Sequence, residues 1–139
     1  MQSTIHRPHQ SDVLVVGTAT ASRKAHIAHI VIARVLLAGV AVQVFLAGLG
    51  VFNVTSFLPH VIFGTAVILA SFSLPIIAWR GRLSRSLVLR SLALAGLMVG
   101  QGALIDVGRL VPVIAAFHPV NAMVITLVTF NLAFQQSVQ

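Results

Sequence analysis

The chain has 139 residues, 58% of them hydrophobic and only 8% charged, with a mean hydropathy of +1.01 and a formal net charge of +7. That balance lies outside the range of soluble globular chains and points to a protein that crosses a membrane. The cations stand at the ends of apolar runs, which argues against a nucleic-acid partner, and the absence of cysteine excludes disulfides, zinc–thiolate sites, iron–sulfur clusters and covalent c-type haem.

The length allows one domain. Residues 1–25 read as a cytoplasmic polar tail, and residues 26–139 as a four-helix transmembrane domain. The short apolar stretch Val13 to Val16 is no signal-peptide core. His6, His9, His26 and His29 form two loose pairs without a carboxylate or thiol beside them, the pattern of solvated histidines rather than of a metal site. Four apolar runs follow, about Ile30 to Phe52, Leu58 to Trp79, Ser86 to Ile105 and Ala115 to Phe134. Each holds roughly 20 residues, enough for a helix to span a ~30 Å hydrocarbon layer. Short connections make neighbouring helices antiparallel, which predicts an all-α, up-down-up-down four-helix bundle.

Arg23 and Lys24 precede the first run, and Arg80, Arg82 and Arg85 separate the second from the third. The first connection is uncharged, and the third holds Asp106 and Arg109, which cancel. Both termini are therefore expected in the cytoplasm, with the chain in the inner (cell) membrane and Trp79 at an interface. Pro59 and Pro119 suit first turns of helices, whereas Pro75 should kink the second helix. Gly96 and Gly100 predict a close helix contact, and Arg34 and Arg90 are expected to snorkel to the inner headgroups.

The bundle is a duplicated hairpin. Gln43 and His60 recur, shifted by 58 positions, as Gln101 and His118, and Leu46, Gly50 and Gly64 correspond to Leu104, Gly108 and Ala122. Parallel repeats are related by an axis along the membrane normal. His60 and His118 should therefore face each other at one depth near the outer surface, where one metal could take an axial ligand from each half. A single non-covalent haem b is the cofactor that this predicts. Gly64 and Ala122, one turn below the histidines, would let a porphyrin approach, and Arg109 could pair with a propionate. Gln43 and Gln101 are placed about 15 Å below the helix tips, too deep to sit beside the histidines, and are assigned to bundle register.

The pattern Gln-x-Phe-Leu-Ala-Gly at Gln43 to Gly48, Pro-His-x-x-x-Gly at Pro59 to Gly64 and Phe-His-Pro-Val-Asn at Phe117 to Asn121 resembles a family of small, uncharacterised four-helix bacterial membrane proteins. It is also similar to one half of haem A synthase over roughly Val35 to Phe134. That resemblance implies haem-binding histidines on the second and fourth helices, here His60 and His118. This chain has one such half, no cysteine and no glutamate, so the synthase chemistry is not expected and the chain reads as an electron carrier, not an enzyme. The resulting expectation is a bis-histidine b-type cytochrome in the lipid bilayer, serving a larger membrane redox complex or a homo-oligomer. A cofactor-free structural subunit and a chlorophyll-type pigment-binding subunit are the alternatives, and a transporter ranks last for want of a buried acidic residue.

Overall fold

In the computed structural model, which describes residues 10–134 and the side chains of 20–134, the apolar runs are helical rods. The first is α1 (Gln10–Val51). The second is made of α2 (Leu58–Ser71) and α3 (Ser73–Arg80), the third is α4 (Arg85–Gly108), and the fourth joins α5 (Pro112–Ala115) to α6 (Phe117–Ala133). Among the described residues there is no strand. The stretches Thr20–Val51, Leu58–Arg80, Arg85–Gly108 and Pro112–Phe134 are each long and apolar enough to cross a membrane. The chain is an all-α four-helix bundle.

The helix boundaries follow from the sequence. No proline interrupts 10–51, so α1 continues well before the apolar run at Ile30. Both breaks within a rod fall just ahead of a proline. Pro75 and Pro119 have no N–H for the carbonyls of Ser71 and Ala115, four residues earlier, and α2 and α5 end at those two residues. Pro59 and Pro112 occupy the first turns of α2 and α5, where the missing donor is harmless. Ser84 caps α4 by accepting a hydrogen bond from the Leu87 N–H at 3.3 Å. Asn53 and Arg82, in the two turns, take left-handed backbone angles, φ 58° and 51°.

The rods form a ring in chain order, with α6 returning against α1. Across the two diagonals, α1 to α4 and α2 to α6, no Cα atoms come within 8 Å. The core is a narrow seam that includes Ala33, Leu36, Val67, Leu74, Leu94 and Leu132. Large apolar side chains such as Phe45, Leu69 and Leu127 point outwards, which suits hydrocarbon and not water.

One expectation is corrected here and another is extended. Gly96 and Gly100 make no close contact, since a Cβ at either would meet nothing within 4 Å. Close approaches between rods fall at other glycines, among them Gly39, where a Cβ would lie 3.3 Å from Val67. Arg34 and Arg90 do more than reach for headgroups. Arg34 donates to the Ala133 carbonyl at 3.2 Å, capping α6, and lies 5.5 Å from the Phe134 ring centroid. Arg90 donates to the Asn131 side-chain oxygen at 3.2 Å. The end of α6 is thus held from both flanks, by cations on α1 and α4.

Candidate functional site

His60 is the third residue of α2 and His118 the second of α6, at the end of the bundle that carries the 52–57 and 109–111 connections. Their rings meet across the diagonal, with centroids 6.3 Å apart and planes at 63°. Both residues are half-buried. Each is oriented by its own hairpin. His60 Nδ1–H donates to the Gln43 carbonyl at 3.1 Å, and His118 Nδ1–H donates to the Gln101 carbonyl at 3.0 Å. A carbonyl oxygen can only accept, so Nδ1 carries a proton in both rings, and in the neutral imidazole Nε2 is the nitrogen with the free lone pair. Among the described residues neither Nε2 has a hydrogen-bond partner. Phe57 packs edge-on to His60, 6.4 Å between centroids, on the loop side.

The glutamines are therefore beside the histidines and not a helix half-length below them. Phe57 and Ala115 pack against Gly50 and Gly108, which fixes how far each rod returns beside its predecessor. From those contacts Gln43 lies seven residues down and His60 three, an axial offset of about 6 Å. The Gln43 carbonyl, which points along α1 towards its C-terminus, and the reach of the imidazole close that gap. Reckoning depth from Cα positions alone leaves both out.

The two copies differ in their amides. In the second, Gln101 Nε2 donates to the His118 carbonyl at 3.0 Å, and Asn121 Nδ2 donates to Gln101 Oε1 at 2.7 Å and to the Leu97 carbonyl at 2.9 Å. In the first copy the position of Asn121 is held by Phe63, and Gln43 Oε1 is buried without a partner. Gly64 is not an open face. A Cβ there would collide with the Gln43 amide nitrogen, so its smallness houses that side chain. Ala122 is half-buried, and its carbonyl accepts from Thr126 Oγ1 at 2.8 Å. Arg109 is exposed at the C-cap of α4, and its side chain forms no hydrogen bond or ion pair among the described residues. The structure thus groups His60, His118, Gln43, Gln101, Gly64 and Asn121, and leaves Arg109 outside that network.

The other histidines divide. His6 and His9 lie outside the described residues. His29 is fully buried, which corrects its reading as a solvated residue. Its Nε2 is 2.8 Å from Ser91 Oγ across the α1–α4 diagonal, and Ser91 Oγ–H donates to the Leu87 carbonyl at 2.8 Å. Ser91 has one proton to give, so His29 Nε2–H is the donor to Ser91 and Nδ1 is a buried acceptor without a partner. The signal was present in the sequence: His29, Ala33, Leu36 and Val40 follow a four–three–four spacing, and all four are buried.

Among the described residues there is no group of three or more histidines or carboxylates that could hold a metal ion by themselves. What the site offers is two imidazoles side by side, each held through Nδ1–H by a carbonyl of its own hairpin. A family of unknown function (DUF6220) matches residues 43–108, which hold Gln43, His60, Gly64 and Gln101. No curated protein and no solved structure matches the chain.

Proposed function

We propose that this chain is a membrane-bound b-type cytochrome that holds one haem between His60 and His118 and passes electrons as a subunit or partner of a larger redox complex. The observation that carries the reading is the spacing of the two rings. At about 2.0 Å per metal–nitrogen bond, and about 1.1 Å more from nitrogen to ring centre, two imidazoles on one metal hold their centroids about 6 Å apart. Those of His60 and His118 are 6.3 Å apart. The Nδ1–H bonds to the Gln43 and Gln101 carbonyls are the outer partners that orient metal-bound histidines and raise their basicity.

Two ligands do not complete a coordination shell for a bare ion, so the pair suits a metal that arrives with a macrocycle. When bound, haem supplies a one-electron couple. His60 and His118 would hold the iron, one imidazole from each hairpin, and a haem so held would serve electron transfer rather than oxygen chemistry. The apolar rods exclude water from one side, and Gln43 and Gln101 hold the imidazole protons away from the ligating nitrogens.

Orientation is part of the proposal. Arg23, Lys24, Arg80, Arg82 and Arg85 gather at the end away from His60 and His118, which supports a cytoplasmic N-terminus and an outward-facing site. The test is an absorbance spectrum of the protein purified in detergent after expression with added haem precursor. Expected is a red protein whose sharp low-spin bands change on reduction with dithionite. A colourless protein that takes up no added hemin would reject the reading and leave a cofactor-free accessory subunit.

A further inference from the structure

The two hairpins differ at a place that opens a groove. Between α4 and the α5–α6 rod, on the outer surface of the second hairpin, lies an open groove of about 540 Å³ lined by residues that include Gly100, Ala103, Val107, Phe117, Asn121 and Val124. In the first hairpin the positions of Gly100 and Ala103 are held by Val42 and Phe45, and that of Asn121 by Phe63. Nothing inside the chain requires the small residue at 100, because a Cβ there would meet no atom within 4 Å. The groove is thus a departure from the repeat in which bulk is removed and one polar side chain is introduced.

That side chain sets the chemistry. Asn121 uses its amide hydrogens on Leu97 and Gln101, so its orientation is fixed, and Oδ1 is left as an acceptor without a partner among the described residues. The remaining walls are apolar, and the opening faces the side that lipid would cover. A water-soluble ligand would gain nothing there, and an acyl chain has no proton to give Asn121. The complement is a lipid-soluble molecule with a hydroxyl donor, small enough for about 540 Å³. Hydrogen bonds run from Asn121 to the Gln101 side chain and from there to the backbone carbonyl of His118.

We propose that this groove binds the ring of a membrane quinol, whose hydroxyl donates to Asn121 Oδ1. The choice of a quinol over another lipid-soluble alcohol rests on the cytochrome reading, through the link from Asn121 to His118; the existence of a hydroxyl-binding groove does not. The test is saturation binding of a radiolabelled decyl-substituted hydroquinone to the full chain in nanodiscs, beside its dimethyl ether, which has the same ring without the donors. Expected is saturable binding of one hydroquinone per chain, with the ether about tenfold weaker or more, as for loss of one hydrogen bond to a partly buried acceptor. The double variant Gly100→Val, Ala103→Phe, which restores towards the first hairpin's bulk, should abolish saturable binding with helicity and haem spectrum unchanged. Asn121→Ala should remove the preference over the ether.

Equal binding of hydroquinone and ether, non-saturable partition only, or full binding by the filled variant would each overturn the proposal. A red protein without saturable binding rejects the groove and leaves the cytochrome. A colourless protein that prefers hydroquinone to its ether keeps the groove and rejects the cytochrome.

Discussion

The imidazoles of His60 and His118 meet at 6.3 Å across a diagonal of the bundle that no pair of Cα atoms bridges within 8 Å. Because each ring is one half of a matched pair, removing either should have the same consequence. His60→Ala and His118→Ala are each expected to abolish the haem bands in a protein that stays helical. His118→Met should retain haem with a raised potential, since thioether ligation favours the reduced iron. Redox titration beside the spectrum checks both.

The glutamines, by contrast, should not be equivalent. Gln101→Leu removes the partner of Asn121 and of the His118 carbonyl, and is expected to lower stability by about 1–2 kcal/mol. Gln43→Leu removes an oxygen that has no partner, and should be close to neutral in the haem-free protein. Unfolding in mixed micelles, followed by circular dichroism, compares the two.

At the other end of the core, Ser91→Ala strands the His29 Nε2–H and is expected to cost about 1–3 kcal/mol. His29→Leu leaves Ser91 bonded to the Leu87 carbonyl and also removes the unpaired Nδ1. It should be neutral or stabilising. A large loss with His29→Leu would mean that Nδ1 has a partner, such as an internal water.

Gly108 and Gly100 look alike in sequence and should behave oppositely. A Cβ at Gly108 would stand 2.6 Å from the Cβ of Ala115 and 3.0 Å from its backbone nitrogen, so Gly108→Ala should destabilise by about 1–3 kcal/mol. Gly100→Ala meets open space and should gain about 0.5–1 kcal/mol of helix propensity. Thermal melts of the two variants decide it.

Topology can be read chemically, because the chain has no cysteine. With Val111→Cys, a membrane-impermeant maleimide is expected to label from outside intact cells, and with Ser84→Cys only after lysis. The reverse pattern would put the histidine pair on the cytoplasmic side.

Much of this was legible in the residues. The rods follow from apolar length, the breaks from Pro75 and Pro119, and the histidine pair from a repeat in polar residues. The Gln43–His60 and Gln101–His118 contacts were hidden because depth along a helix counts backbone rise, whereas a carbonyl and an imidazole each add ångströms of reach. His29 was obscured by its neighbours Arg23, Lys24 and His26, which give its surroundings a polar look although its own spacing matches the buried stripe. The unequal second copy was visible as Phe63 against Asn121, but only contacts show which oxygen each leaves unmatched.

That each imidazole is aimed by a carbonyl from its own hairpin has an evolutionary corollary. One hairpin is already a finished half-site, so two identical hairpins, synthesised separately and paired head to head, would have made the whole of it. Carrying both hairpins on a single polypeptide fixes their stoichiometry at one to one. It also lets the two copies differ, as Val42 against Gly100 and Phe63 against Asn121 do.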